Sequence, residues 1–277
     1  MKEFVWKNEE VRKLHVKRKG KVVYLTYPEL EEIPMVLHGF TTRVGGVSKD
    51  IYSSMNLSFS RGDEEETVIE NFHRIAAAIG FPYESIVCSD QTHTTNVMEV
   101  TAKDRGKGIT RSKDYTDVDG LITNDPNVTL ATFYADCVPL FFVDPVHKAI
   151  GLSHSGWKGT ANKIGQVTIE KMRETYGTDP KDIFAAIGPS ICQDCYEISE
   201  EVAVKFKEEF LIEKENGKYK LDLWKANEKN LAECNVPMEQ IYLPNLCTCC
   251  NPKLLFSHRA SKGKRGNLAA FLKIKLD

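Results

Sequence analysis

Nothing in this 277-residue chain points toward a membrane or an oxidising compartment. The first ten residues interleave charged and apolar side chains, so the apolar run of a secretory leader is missing. The most apolar stretch, residues 130–143, contains Asp136 and is too short to cross roughly 30 Å of hydrocarbon. A cytoplasmic protein with no membrane partner is expected. Charge of one sign is also lacking. The 37 Lys+Arg against 39 Asp+Glu leave a formal net charge of −2, which offers no global field for nucleic acid. Eight cysteines are too sparse for a disulfide scaffold, which leaves thiol or metal chemistry. No Pro/Gly/Ser-rich linker, low-complexity run or repeat divides the chain. The expectation is one compact unit over residues 1–277, as a monomer or small homo-oligomer.

What is present reads as an α+β protein. Helical spacing of Val68, Ile69, Phe72, Ile75, Ala76 and Ile79 predicts a helix over 63–79, with Asp63 and Glu66 as a capping pair and Gly80 as its stop. A second helix should start near Thr160 and turn Ile164, Val167 and Met172 inward before Gly177. Segments 200–210 and 223–234 suit a third and a fourth. Short β-prone runs occupy 35–40, 96–100, 120–123, 128–134, 138–143, 149–153, 183–187 and 240–243. Asp144-Pro145-Val146-His147 between two of them reads as a hairpin turn, so the sheet is at least partly antiparallel. The picture is a mixed sheet with flanking helices.

Three segments place metal-ligand side chains beside small residues and strand ends: Asp90-Gln91-Thr92-His93, Ala135-Asp136-Cys137-Val138-Pro139 and Ser153-His154-Ser155-Gly156-Trp157. A hairpin between Cys137 and His154 would bring thiolate and imidazole together. Two His and one Cys suit Zn²⁺ with a fourth position left for water or substrate, as catalytic zinc sites keep it. The same residues fit a nucleophilic Cys137 activated by His154, with Asp136 or a carbonyl orienting the imidazole. The two readings differ at His93, which only the metal centre requires. Gly156, Lys158, Gly159 and Thr160 form a small-residue loop entering a helix, suited to an anion. Thr41 to Ser48, with Arg43 and paired glycines, is a second turn-rich candidate for phosphate or carboxylate. Cys192-Gln-Asp-Cys195 and Cys247-Thr-Cys249-Cys250 offer a further four-sulfur zinc reading, against which stands the Cys-x-Cys-Cys spacing of the second segment.

Taken with His38-Gly39-Phe40-Thr41-Thr42-Arg43, Met55-Asn56-Leu57, Ile187-Gly188-Pro189 and Cys247-Thr248, these segments resemble the laccase-domain family of purine nucleoside phosphorylases, earlier labelled multicopper polyphenol oxidoreductases. The resemblance implies a single α+β domain like the cysteine-hydrolase-type toxin deamidases, and a zinc centre, with copper as the alternative, on His93, Cys137 and His154. It implies phosphorolysis of adenosine, inosine, guanosine and methylthioadenosine, and deamination of adenosine. The partners are then purine nucleosides and phosphate. From the chemistry, Asp136 is a candidate proton carrier, and Arg43, Ser48, Lys158 and Thr160 are candidates for phosphate. Phenol oxidation is disfavoured, because a multicopper oxidase needs paired His-x-His motifs and none of the seven His forms one.

Overall fold

The structure, a computed structural model, describes residues 3–11 and 13–275. Its strands are β1 (His15–Lys19), β2 (Val22–Thr26), β3 (Val36–Thr41), β4 (Ile86–Cys88), β5 (Val97–Glu99), β6 (Gly120–Thr123), β7 (Thr129–Tyr134), β8 (Val138–Asp144), β9 (Ala149–Ser155), β10 (Phe184–Ile187), β11 (Glu197–Ile198), β12 (Leu211–Glu213), β13 (Tyr219–Leu221), β14 (Ile241–Tyr242) and β15 (Leu268–Ile274). The helices are α1 (Pro28–Glu31), α2 (Glu65–Ile79), α3 (Trp157–Ala161), α4 (Ile164–Tyr176), α5 (Glu200–Ala203), α6 (Leu223–Ala232) and α7 (His258–Ser261). No helix among the described residues is long and apolar enough to cross a membrane.

Two six-stranded mixed sheets form the body, in the orders β1-β2-β3-β15-β7-β4 and β14-β10-β8-β9-β6-β5, and a three-stranded sheet β11-β13-β12 stands beside them. Side-chain alternation shows how they stack. On β15, Leu268, Ala270 and Leu272 face the core between the large sheets, while Ala269 and Phe271 pack with α2. On β8, Phe141 and Val143 join that same central core, whereas Val138, Leu140 and Phe142 face α4 and α6. The layers therefore run helix, sheet, sheet, helix. Both faces of each sheet are covered, which is why their central strands are continuously apolar rather than alternating.

Several expected boundaries shift for identifiable reasons. Helix α2 begins at Glu65 with no side-chain cap, because the Asp63 carboxylate is already accepting from Ser48 Oγ at 2.7 Å and Asn56 Nδ2 at 3.0 Å. Gly80 ends it at φ 104°, as its position after the apolar run implies. The helix expected from Thr160 is two helices, since Lys163 at φ 58° breaks the chain between α3 and α4, and Val167 is 37% exposed rather than inward. Segment 200–210 keeps only the single turn of α5 and a 3₁₀ turn at Glu208–Phe210. Strands β1, β2, β4, β11, β12, β13 and β15 lie where no strand was expected, and β15 takes a central position between β3 and β7. The hairpin turn is as read: Asp144 Oδ1 accepts from Val146 N at 2.9 Å and His147 N at 3.0 Å, and Asp144 pairs with Ala149.

His38 is buried on β3, its Nε2 accepting from the Tyr27 backbone N–H at 2.7 Å. Burial pushes its pKa down to about 4. The unfolded chain therefore takes a proton near pH 6.5 that the folded chain refuses until about pH 4, and stability falls as pH drops through that window. His38→Gln, which retains an acceptor for the Tyr27 amide, should remove this part of the slope. Urea midpoints of both proteins across the window test it, and parallel curves would reject the assignment.

Candidate metal centre and cavity

The β8–β9 hairpin sets Pro139 opposite His154 and Val138 opposite Ser155, so Cys137, just ahead of β8, meets the end of β9. The separation of 17 positions between Cys137 and His154 is thereby closed in space. His93 arrives from the segment between β4 and β5, and one donor atom from each of His93, Cys137 and His154 lies within 4.8 Å of the others. The two imidazole rings are 5.0 Å apart and nearly perpendicular. Gly156 has to be glycine here: a Cβ would lie 2.9 Å from His93 Cδ2 and 3.2 Å from Cys137 Sγ. His93 itself is exposed and sits at φ 68°, a backbone conformation that needs outside support.

Asp119, at the start of β6 and fully buried, supplies that support. Its Oδ1 meets His154 Nδ1 at 2.8 Å and accepts from the His93 N–H at 3.1 Å. Its Oδ2 accepts from the N–H groups of Thr92 at 3.0 Å and Thr94 at 2.9 Å, and from Thr94 Oγ1 at 3.0 Å. One carboxylate thus orients the ring of His154, leaves Nε2 for the cluster and holds the loop that presents His93. Burial opposes its charge, but His154 and the loop amides hold its pKa down to about 2. Burial likewise opposes the Cys137 thiolate, which His154 and His93 nevertheless bring to about 6. The His154 imidazolium is penalised by burial and raised by Cys137 and Asp119 to about 9. Both shifts favour the charged forms, thiolate on Cys137 and imidazolium on His154.

The cluster opens into a cavity of about 400 Å³, of a size that accepts a small organic ligand. Phe59, Phe133 and Leu57 give it apolar wall, and Ser58, Ser60, Asp90, Gln91 and Asn267 give it polar groups. Arg61, Lys113 and Arg265 bring positive charge. Lys113 is paired with Asp90, whereas neither arginine has a carboxylate partner among the described residues. Arg265 is 8% exposed, and its Nε has no hydrogen-bond partner. Burial and the neighbouring Arg61 push its pKa down to about 10. Two guanidinium groups that face one cavity without a directly paired carboxylate are able to hold an anion there.

The candidates expected from sequence to hold phosphate lie elsewhere. Arg43 donates to the carbonyls of Ser53 at 2.6 Å and Pro252 at 2.9 Å and stacks on Phe256. Ser48 is bound between Asp63 and Asn71. Thr160 donates to Gly156 O at 3.0 Å and meets Ser155 and Asn227, while exposed Lys158 lies over Trp157. Asp136 accepts from Thr248 Oγ1 and Arg259 N, each at 2.7 Å, so its oxygens face away from the cavity's work. None of the five lines the cavity. Sequence reasoning missed Asp119, Arg61 and Arg265. The only local sign of the arginines is a basic residue before glycine, in Arg61-Gly62 and Arg265-Gly266.

Layers, ligand triad and cavity together place the chain in a known class. It belongs to the multi-copper polyphenol oxidoreductase laccase family, whose match spans residues 37–275. It is 38% identical over 250 residues to the purine nucleoside phosphorylase YlmD of Bacillus subtilis, covering 87% of this chain and 89% of that one. The crystal structure of the Bacillus licheniformis hypothetical protein YfiH superposes with a TM-score of 0.88 at 34% identity, over 94% of this chain and 99% of that chain. That of YlmD from Geobacillus stearothermophilus gives 0.86 at 34%, with the same coverage. The family's label does not describe the donors here. Among the described residues, the groups able to hold a metal are this triad and four cysteines, with no cluster of paired histidines.

Asp119→Asn should keep the shape while weakening the acceptor for His154 and the loop amides. Metal affinity, measured by chelator competition, is expected to fall about 10–100-fold. Unchanged affinity would remove Asp119 from the site.

Proposed function

We propose that the chain is, over its whole length, a zinc-dependent purine nucleoside phosphorylase acting on adenosine, inosine, guanosine and methylthioadenosine, with adenosine deaminase activity in the same cavity. The observation that carries this reading is the meeting of two unlike sites in one cleft: a His93/Cys137/His154 donor set and the unpaired Arg61/Arg265 couple. Relatives named purine nucleoside phosphorylase support the substrate class. The donor set fits zinc, since it offers two imidazoles and a thiolate already biased to its charged form, with His154 braced by a carboxylate. Bound zinc would act as a Lewis acid and lower the pKa of a water held beside it.

The protein's own groups account for the rest. Phosphorolysis needs phosphate fixed beneath ribose C1′ while the glycosidic bond to purine nitrogen breaks. Arg265 and Arg61 would hold that phosphate, with Arg265 Nε gaining the partner it lacks. Phe59 and Phe133 offer the base a flat apolar wall. Phe59 is itself stacked on Phe72 at 5.6 Å, which fixes its ring. The cavity's polar rim, Ser58, Ser60 and Asn267, is placed for ribose hydroxyls.

A second reading has its own support. Cys137, His154 and Asp119 follow one another as nucleophile, base and orienting acid, which is the arrangement of a metal-independent cysteine hydrolase and of the toxin-deamidase fold implied by the sequence. His93 separates the two readings.

Product analysis with adenosine, with and without phosphate, tests the proposal. Adenine and ribose 1-phosphate should appear only with phosphate, and inosine without it. His93→Ala, Cys137→Ala and His154→Ala should each lose the zinc held in the cavity and at least 10²-fold in turnover. Full turnover in metal-free His93→Ala protein would favour the hydrolase. Arg265→Ala should raise the KM for phosphate at least tenfold and leave zinc content unchanged, while Arg43→Ala should leave that KM as it is. An unaltered phosphate KM in Arg265→Ala would refute the anion assignment.

A further inference from the structure

Away from the cavity, four cysteine sulfurs converge. Cys192, Cys195, Cys247 and Cys250 each place Sγ within 4.8 Å of the others, with Cys195 Sγ and Cys250 Sγ 3.5 Å apart. They come from two distant segments: the 3₁₀ turn Gln193–Cys195 that leads into β11, and the turn that follows β14. Taken from its outer members, Cys247-Thr248-Cys249-Cys250 is a Cys-x-x-Cys, matching Cys192-Gln193-Asp194-Cys195. The intervening Cys249 had disguised the pattern as Cys-x-Cys-Cys. We propose that these four thiolates hold a second, structural zinc ion.

The geometry suits a single tetrahedral ion such as zinc. Tetrahedral Zn–S bonds of about 2.3 Å place the sulfurs roughly 3.8 Å apart, so only a small contraction closes the cage. A cluster of several irons would need the sulfurs spread further than they are. A backbone N–H already points at one sulfur, from Cys192 N to Cys247 Sγ at 3.2 Å, stabilising negative charge there. All four positions are cysteines, which closes the site to water and substrate as structural zinc sites require. Cys192 and Cys247 are buried and the other two half-buried, so the ion would be shielded yet able to enter.

The site's location explains what it would do. Its two knuckles are zipped together by a Ser190–Cys247 bridge, in which Thr248 N donates to Ser190 O at 3.1 Å. Ile191 N, next to the first knuckle, donates to Asp136 O at 2.9 Å. Thr248, inside the second, donates to the Asp136 carboxylate. Asp136 sits at φ 93° immediately before Cys137. The zinc would therefore clamp the two segments that keep a strained residue in place beside the catalytic thiolate. It acts by positioning and touches no substrate.

Metal content of untagged protein purified under reductant tests this, together with intact mass. Wild type should carry two zinc ions per chain, and Cys195→Ser/Cys250→Ser and His93→Ala/His154→Ala one each. Cobalt substitution of the His double variant should show the intense sulfur-to-cobalt charge transfer of four thiolates, against one in the Cys double variant. Should the Cys variant fail to fold, the wild-type count and the cobalt spectrum of the His variant decide alone. One zinc in wild type, kept by the His variant and lost by the Cys variant, would uphold this site and overturn the cavity's zinc instead. Zinc content equal in wild type and Cys variant, stoichiometric iron, or a mass short of two or four hydrogens from disulfides would each overturn the proposal.

Discussion

Asp119 lies at the start of β6 with its carboxylate shut off from water, and a carboxylate there is tolerable only while donors surround it. Four donors besides His154 do so: three consecutive backbone amides and a threonine hydroxyl. The same requirement runs in reverse. Those amides belong to a turn that has no regular secondary structure, and His93 within it is held in the left-handed region. Carboxylate and loop thus stabilise each other, and the geometry of all three proposed ligands follows. His154 is aimed by Oδ1, His93 is presented by the loop, and Cys137 is brought in by the hairpin whose partner strand carries His154.

The charge balance of the cleft depends on this arrangement as well. Cys137 and Asp119 together put negative charge at one end, while Arg61 and Arg265 put positive charge at the other. Cys137 and Asp119 favour a proton on His154 and raise its pKa to about 9 against the effect of burial. A divalent ion held by the three side chains would take the place of that proton and leave His154 as a neutral ligand. At the arginine end Asp136 and Cys137 offset Arg265 only in part, and no carboxylate among the described residues pairs with it directly, so an anionic reactant would complete the balance.

Legibility from sequence divided along physical lines. The convergence of Cys137 and His154 was readable because Asp144 to His147 announces the hairpin that unites them. Helices α2 and α6 and the strands of the second sheet followed from period and punctuation. What escaped was whatever depends on long-range convergence. Strand β15 gains its place only by pairing with β3 and β7, far away in the chain. Arg61 and Arg265 are separated by some two hundred residues and share only a following glycine, too common a pair to mark a site. The glycine-rich entry to α3 resembled an anion site, yet its Thr160 hydroxyl is consumed by the Gly156 carbonyl and the buried Ser155–Asn227 network. A local motif shows that donors exist; only the fold shows whether they are spent.

The same distinction settles how to read the family's copper label and the four cysteines. Oxidising phenols at a multicopper centre would require many imidazoles converging, and here the convergent imidazoles are two. Sulfur converges as well, with Cys137 beside the two imidazoles in the cleft and four cysteines together behind it. Soft thiolates favour zinc in a tetrahedral site, and four of them leave no position open for chemistry. The four cysteines lie behind Asp136 and the donor triad in front of it, with Asp136-Cys137 as the short segment between them, and a zinc ion in the closed site would brace that segment through Ile191 and Thr248.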